Sequence, residues 1–67
     1  MSLTLNGEEL DETAETVADL LQLHLPDSGS QGVAVAVNEA VVPRGEWSRH
    51  RLVDGDVVEI VRAVQGG

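Results

Sequence analysis

Cysteine, lysine, tyrosine and phenylalanine are absent from this 67-residue sequence. The lack of cysteine excludes disulfides, a thiolate nucleophile and a cysteine-type zinc site, and nothing in the composition indicates an oxidising compartment. All four cationic side chains are arginines, so the chain has no side-chain amine that an activated acyl group can modify. The α-amino group is the one amine that remains.

Long apolar runs and a basic leader segment are absent as well. Each apolar run is far too short to span a bilayer, and the first residues do not form a basic segment followed by an apolar signal core. We therefore expect a cytoplasmic protein that has no contact with a membrane. The formal net charge is -8, which argues against nucleic acid as a partner and fits either a basic protein partner or a simple solubility charge.

The sequence begins with the pattern of a β-hairpin. Leu3 and Leu5 alternate with polar residues, as in a strand with one buried face. Asn6 and Gly7 are the favoured pair for a tight hairpin turn. The second strand of the hairpin is therefore expected over residues 8–12.

A helix is predicted next. Thr16 and Asp19 have the spacing of a capping box, and Pro26 is expected to end the helix. The predicted apolar face comprises Val17, Leu20, Leu21 and either His24 or Leu25. We interpret His24 as a helix-end histidine, since no second histidine lies at metal spacing, and we predict no metal site.

The second half of the chain predicts three further strands. Valine and alanine alternate over residues 33–37, and the valines are expected to face the core. A short strand over 41–42, one helical turn within 44–51 and a last strand over 57–64 follow. Trp47 is expected to pack at the edge of the core with its indole N–H near water.

The last strand also predicts a surface for a partner protein. Alternation turns Val58 and Ile60 towards the core and leaves the intervening residues on the other face of the sheet. That outer face is predicted to carry a modest apolar patch beside the end of the chain. The patch comprises Val61, Ala63, Ala34 and Ala36.

The order β-β-α-β-β-β predicts an α+β protein, a ubiquitin-like β-grasp roll in which a mixed four- to five-stranded sheet packs on one main helix. The domain is expected over residues 1–64. Residues 65–67 are expected to form a flexible tail that ends in Gly66 and Gly67. Because glycine has no Cβ, such an end can enter a channel that is too narrow for side chains.

Several short segments occur in a fixed order along the chain. They are the opening strand into Asn6-Gly7, the start of the helix at Thr16, residues 33–38, Val42-Pro43-Arg44 with Trp47, Leu52 with Asp54-Gly55-Asp56, and Gly66-Gly67. Together they resemble the sulfur carrier proteins of thiamine thiazole biosynthesis, the ThiS family, over essentially all 67 residues.

The resemblance implies that Gly67 is the reactive residue and that Gly66 threads into the partner's active site. A ThiF-like adenylating enzyme would use ATP and Mg²⁺ to form a Gly67 acyl-adenylate, and a sulfur-donating enzyme would convert it to a thiocarboxylate. The thiocarboxylate would donate sulfur to a ThiG-like thiazole synthase. The chain itself would bind no cofactor and would be a substrate protein, not an enzyme, in keeping with a sequence that shows no set of nucleophile, base and orienting residue.

Three alternatives remain open at the level of sequence. The small subunit of molybdopterin synthase (MoaD) shares the fold, the Asp-Gly-Asp turn and the diglycine, but it is usually longer. A ubiquitin-like protein modifier would use the same tail to form isopeptide bonds. A plain β-grasp interaction module would not use the carboxylate at all. The roles of Arg44 and Trp47 are open in each case.

Overall fold

The computed structural model describes residues 1–25 and 32–62. In chain order the elements are β1 (Ser2–Leu5), β2 (Glu8–Asp11), α1 (Val17–His24), β3 (Val33–Val37), β4 (Ala40–Val42), one turn of 3-10 helix (Arg44–Glu46) and β5 (Val57–Arg62). This order confirms the predicted succession of elements, with β4 beginning one residue earlier than expected. The predictions made for Pro26, for the domain boundary at residue 64 and for the tail lie outside the described residues.

The five strands form one sheet in the order β2-β1-β5-β3-β4. β1 and β5 are parallel, and the other neighbouring strands are antiparallel. Parallel neighbours need a long connection between them, and here α1 and the β3–β4 hairpin lie in that connection. The mixed sheet and its single main helix confirm the predicted β-grasp roll, and they place the last strand in the middle of the sheet.

The core lies between α1 and one face of the sheet. Its largest fully buried side chains come from β1, α1, β3 and β5, and they are Leu3, Val17, Leu20, Val35 and Val58. Full burial of one such side chain contributes about 1.5–3 kcal/mol. The alternation of the strands and the apolar face of the helix therefore predicted the core correctly.

The helix begins and ends near the predicted residues. The side-chain oxygen of Thr16 accepts a hydrogen bond from the backbone N–H of Asp19 at 3.1 Å, which confirms Thr16 as the N-cap. Leu25 is partly buried against the core, whereas His24 is exposed. The His24 Nε2 atom lies 3.1 Å from a carboxylate oxygen of Glu12, in the segment that follows β2. Leu25, not His24, therefore closes the apolar face.

Trp47 lies deeper than the sequence indicated. Its side chain is 6 % exposed, and its indole N–H donates to the carbonyl oxygen of Val42 at 2.9 Å. The prediction that Trp47 packs on the core is confirmed, but the prediction that the indole N–H lies near water is wrong, because a β4 carbonyl is its partner. The Trp47 carbonyl also accepts the N–H of Ala18 at 3.0 Å. Trp47 thus connects the end of β4 with the first turn of α1.

Candidate functional site

The predicted partner surface lies on the outer face of the sheet, where β3 and β5 pair. Val61 lies directly opposite Ala34, and Glu59 lies opposite Ala36. Val61 is 62 % exposed, Ala34 is exposed and Ala36 is partly exposed. The structure thus brings three of the four predicted surface residues together. Ala63, the fourth, lies outside the described residues, as do Gly66 and Gly67.

Two valines that the sequence analysis did not assign to this surface extend it. Val41 lies opposite Ala36 across the β3–β4 pair and is 75 % exposed. Val57 is exposed on the same face as Val61, because alternate residues of one strand share a face. We call the resulting set the outer patch. It comprises Ala34, Ala36, Val41, Val57 and Val61.

The other half of the same sheet face is polar and acidic. Val57 pairs with Thr4 of β1, and Thr4 in turn lies opposite Glu9 of β2. Ser2 lies opposite Asp11, and the Ser2 hydroxyl donates to a carboxylate oxygen of Glu9 at 3.2 Å. The face therefore changes from apolar at β3 and β4 to acidic at β2. This distribution is complementary to a protein surface on which an apolar area adjoins basic side chains.

The turn between β1 and β2 supports β5 beyond the end of β1. Asn6 and Gly7 have φ angles of 51° and 84°, as the Asn-Gly pair predicted. The Asn6 backbone N–H donates to the Val58 carbonyl at 2.9 Å, and the Asn6 side-chain oxygen accepts the N–H of Ile60 at 2.8 Å. The sequence predicted the turn but not this second role of Asn6, since its partners are more than fifty residues away.

The start of β5 is fixed by a second asparagine. The Asn38 side chain accepts the N–H of Val57 at 2.9 Å and donates to a carboxylate oxygen of Asp56 at 3.0 Å. Asp56 is buried, and its other oxygen accepts the N–H of Val53 at 2.9 Å. The predicted turn at residues 54–56 is confirmed, whereas the burial of Asp56 had no local signal. β5 is thus held at its start and along its length.

The described residues form an exposed apolar surface on the outer face of the sheet and hold β5 in place up to Arg62. Within residues 1–25 and 32–62, no group of three or more histidine, aspartate or glutamate side chains is arranged to hold a metal ion. In the same part of the chain no helix has the length and apolarity needed to cross a membrane. What the geometry offers is the outer patch, whose member Val61 adjoins Arg62, the last described residue of β5.

Comparison with known proteins identifies relatives along the whole chain. The model of the ThiS family matches residues 3–67. The chain is 32 % identical over 68 residues to the sulfur carrier protein ThiS of Escherichia coli, and the match covers all of both chains. It is also 36 % identical over 67 residues to a protein named thiazole synthase from Paramagnetospirillum magneticum. That match covers all of this chain and 20 % of the thiazole synthase.

Solved structures show the same likeness in three dimensions. The crystal structure of the thiamine biosynthesis protein ThiS from Geobacter metallireducens matches with a TM-score of 0.78 and 33 % identity, covering all of both chains. A solution NMR structure of a thiamine biosynthesis protein from the same organism gives a TM-score of 0.79 and 31 % identity. It covers all of this chain and 88 % of that one. Because the likeness in sequence and in fold extends over the full length, the chain belongs to the ThiS family of ubiquitin-like β-grasp proteins.

Proposed function

We propose that this chain is a sulfur carrier protein of thiamine biosynthesis and that Gly67 is the residue that carries the sulfur. The observation that supports this most strongly is the full-length match to the Escherichia coli sulfur carrier protein. The family match extends to residue 67, so it includes the Gly66-Gly67 end. The proposed reactive residues Gly66 and Gly67 therefore lie within the matched region.

The proposed chemistry begins with activation of the terminal carboxylate. A carboxylate is ionised at neutral pH and is a poor acyl electrophile. A ThiF-like adenylating enzyme, using ATP and Mg²⁺, joins a Gly67 carboxylate oxygen to the α-phosphorus of ATP, and pyrophosphate leaves. A sulfide-level sulfur supplied by a sulfur-donating enzyme then attacks the Gly67 carbonyl carbon; the carbon–sulfur bond forms, the carbon–oxygen bond to the phosphate breaks, and AMP leaves with the electron pair, so that a thiocarboxylate remains. The carrier is a substrate in both steps and binds no cofactor of its own; we place these steps in the cytoplasm, where ATP is supplied.

The fold supports this role by presenting the chain end from an anchored strand. Arg62 is the last described residue of β5, and five residues follow it. At about 3.3–3.6 Å per extended residue, five residues reach at most about 18 Å. Gly66 adds no side chain at the point where the end enters an active site. We assign the outer patch, with Ala63, as the surface that docks on the adenylating enzyme.

The second match supports a thiazole synthase as the acceptor of the sulfur. In the Paramagnetospirillum magneticum protein, a stretch similar to this whole chain makes up one fifth of a protein named thiazole synthase. A carrier joined to its acceptor reaches it at an effective concentration in the millimolar range, depending on the linker. We therefore propose a ThiG-like thiazole synthase as the partner to which Gly67 delivers sulfur.

Intact-mass analysis tests the proposed function. The full chain is incubated with ATP, Mg²⁺, the ThiF-like enzyme and a sulfur source. The expected product is heavier than the parent by the difference between one sulfur and one oxygen, with the change located in the C-terminal peptide. Addition of the ThiG-like thiazole synthase with its other substrates should return the parent mass.

Each alternative function predicts a different outcome of the same experiment. Attachment of the chain to lysines of other proteins would favour a ubiquitin-like modifier. Sulfur transfer to the large subunit of molybdopterin synthase, with none to thiazole synthase, would favour the MoaD-like carrier. The adenylating enzyme is also tested in parallel with its own carrier. If it activates that carrier while the mass of this chain stays unchanged, the result would favour an interaction module and would overturn the proposal.

A further inference from the structure

Asn6 is the residue that joins the β1–β2 turn to the last strand. Its backbone N–H donates to the Val58 carbonyl at 2.9 Å, and its side-chain oxygen accepts the N–H of Ile60 at 2.8 Å. β1 pairs with β5 through its last two residues, Thr4 and Leu5. The two hydrogen bonds of Asn6 therefore continue the contact with β5 beyond the end of β1.

The residue that follows Asn6 makes the same position chemically reactive. Gly7 is exposed, and apart from its chain neighbours no atom of the described residues lies within 4 Å of the place where a Cβ would be. Because glycine has no side chain, its backbone nitrogen is open to the side chain that precedes it. Asparagine is among the thermolabile residues of proteins, and a following glycine removes the steric protection of its amide.

The reaction available to this pair is an intramolecular attack followed by hydrolysis. The Gly7 backbone nitrogen attacks the Cγ atom of Asn6, a carbon–nitrogen bond forms, and the bond from Cγ to the side-chain nitrogen breaks. Ammonia leaves with the proton of the Gly7 amide. Water then opens the cyclic imide at either carbonyl, which gives aspartate or isoaspartate. In isoaspartate the main chain runs through the Cβ atom of residue 6 and is longer by one methylene.

The hydrogen bonds to β5 oppose this reaction in the folded chain. Ring closure requires rotation about the Cα–Cβ bond of Asn6, so that Cγ approaches the nitrogen of Gly7. The bond from Ile60 holds the side chain at β5, and the bond to Val58 holds the backbone of the same residue. Loss of both bonds is a local opening, which needs no more free energy than global unfolding.

We propose that Asn6 is a site of spontaneous modification, which the hydrogen bonds to β5 protect and which local opening of the β1–β2 turn exposes. The inference goes beyond the proposed function and does not depend on it. Formation of isoaspartate makes the loss of protection permanent, because the added methylene moves the carboxylate away from the position that accepts the Ile60 N–H. Asn6 is thus both the acceptor that holds β5 and the position at which that contact is lost.

Asn38 is a matched control within the same chain. Asn6 and Asn38 are the only asparagines of the sequence, and both have a φ angle of 51°. The side-chain oxygen of Asn38 also accepts an N–H of β5, that of Val57, at 2.9 Å. Asn38 is followed by Glu39, whose side chain hinders approach of the backbone nitrogen. The two asparagines therefore share a backbone conformation and differ in the residue that follows.

The test follows both asparagines of the full chain by peptide mapping and mass spectrometry. The chain is held at mildly alkaline pH in buffer, in urea below the unfolding transition and in urea above it. The readout is the rate at which each peptide gains the mass of an amide-to-acid conversion. Asn6 should be modified at least about tenfold more slowly in buffer than above the transition, because the reactive form is a minor open state. Asn38 should be modified much more slowly than Asn6 above the transition.

The dependence on urea below the transition tests the role of opening. Opening exposes surface, and urea favours exposed surface, so the rate at Asn6 should rise with urea while the chain is still folded. A rate that does not change with urea in this range would show that the modification needs no opening, and a rate in buffer that equals or exceeds the rate above the transition would show that the hydrogen bonds give no protection. Either result would overturn the inference.

A second measurement tests the consequence for β5. The chain with isoaspartate at residue 6 is purified and compared with the unmodified parent and with Asn6→Asp, which keeps the acceptor and the length of the main chain. Hydrogen exchange of the Ile60 N–H, measured by NMR, should be at least about tenfold faster in the isoaspartate chain than in either reference. Exchange at the rate of the parent would show that the modification does not release β5, and the inference would fail.

Discussion

Two leucines of one helix differ in burial in a way that tests the core at the scale of single residues. Leu20 is fully buried, whereas Leu23 is 55 % exposed. Leu20→Ala should lower the free energy of unfolding by about 2–5 kcal/mol, and Leu23→Ala should change it by less than about 0.5 kcal/mol. Urea unfolding followed by circular dichroism measures both. Equal losses in the two variants would show that α1 presents a different face to the sheet.

The indole N–H of Trp47 gives a second prediction for a single residue. Trp47→Phe keeps a ring in the core but removes the donor to the Val42 carbonyl, which is buried with it. Loss of a buried hydrogen-bond partner costs about 1–3 kcal/mol. The free energy of unfolding from urea titration should fall by this amount, with Leu23→Ala as the reference for a surface change. An unchanged stability would mean that the hydrogen bond to Val42 contributes nothing.

Single residues also show which interactions could be predicted from the sequence and which could not. Local patterns assigned Leu20 to the core and Thr16 to the N-cap, since both depend on neighbours within one helical turn. The indole partner of Trp47 depends on where β4 ends relative to the tryptophan ring. The hydrogen bond that the Ile60 N–H donates to the Asn6 side chain joins positions 54 residues apart. Interactions of this kind have no periodic signal, because the sheet, not the local chain, brings the partners together.

At the scale of the elements, β5 carries the prediction that concerns partner binding. Val61→Asp places a charge in the outer patch, whereas Val53→Asp places the same charge on a valine outside the strands. The two valines are matched in exposure, at 62 % and 60 %. Both variants should fold, because neither side chain is buried, but Val61→Asp should be adenylated at least about tenfold more slowly, as expected for a central contact residue.

The measurement for the β5 prediction is the initial rate of ATP-dependent pyrophosphate exchange at subsaturating carrier, with thermal melts of both variants. A Val61→Asp variant that is activated as fast as Val53→Asp would remove the outer patch from the docking surface. A Val61→Asp variant that unfolds would show that Val61 supports the sheet.

The starts of the elements followed from the sequence to within one residue, but the full outer patch did not. Alternation placed Ala34 and Val61 on the outer face, and the register confirms that they are neighbours. Val41 adjoins Val42, and this valine pair does not reveal which member is buried until the partner strand is known. Val57 lies on the outer face by the same alternation that turns Val58 towards the core, but the predicted patch did not include it. The patch could therefore be predicted along each strand but not across strands.

At the scale of the whole molecule, the order of elements predicted the β-grasp roll, and the five-stranded mixed sheet packed on α1 confirms it. The parallel β1–β5 pair places the last strand in the middle of that sheet. The acidic side of the sheet also follows from the sequence, because the acidic residues of β2 lie in the first half of the chain, which has no arginine. The chemistry of the chain end stays a prediction, because Gly66 and Gly67 lie outside the described residues.

Two changes to the chain end test whether activation requires the terminal carboxylate at a fixed distance from the folded domain. Deletion of Gly67 leaves a glycine carboxylate of the same intrinsic reactivity but draws it back by one residue, about 3.3–3.6 Å. A misplacement of about 1 Å can cost on the order of a hundredfold in rate, so activation should be almost completely lost. Gly66→Val keeps the length but adds a branched side chain. This variant should not be activated either, because the side chain would not fit a narrow active-site channel. Pyrophosphate exchange measures activation, and thermal melts of both variants should match the parent because the core residues are unchanged. If the chain without Gly67 were activated at the rate of the parent, the adenylating enzyme would not require the carboxylate at a fixed distance from β5. That result would favour the interaction-module alternative.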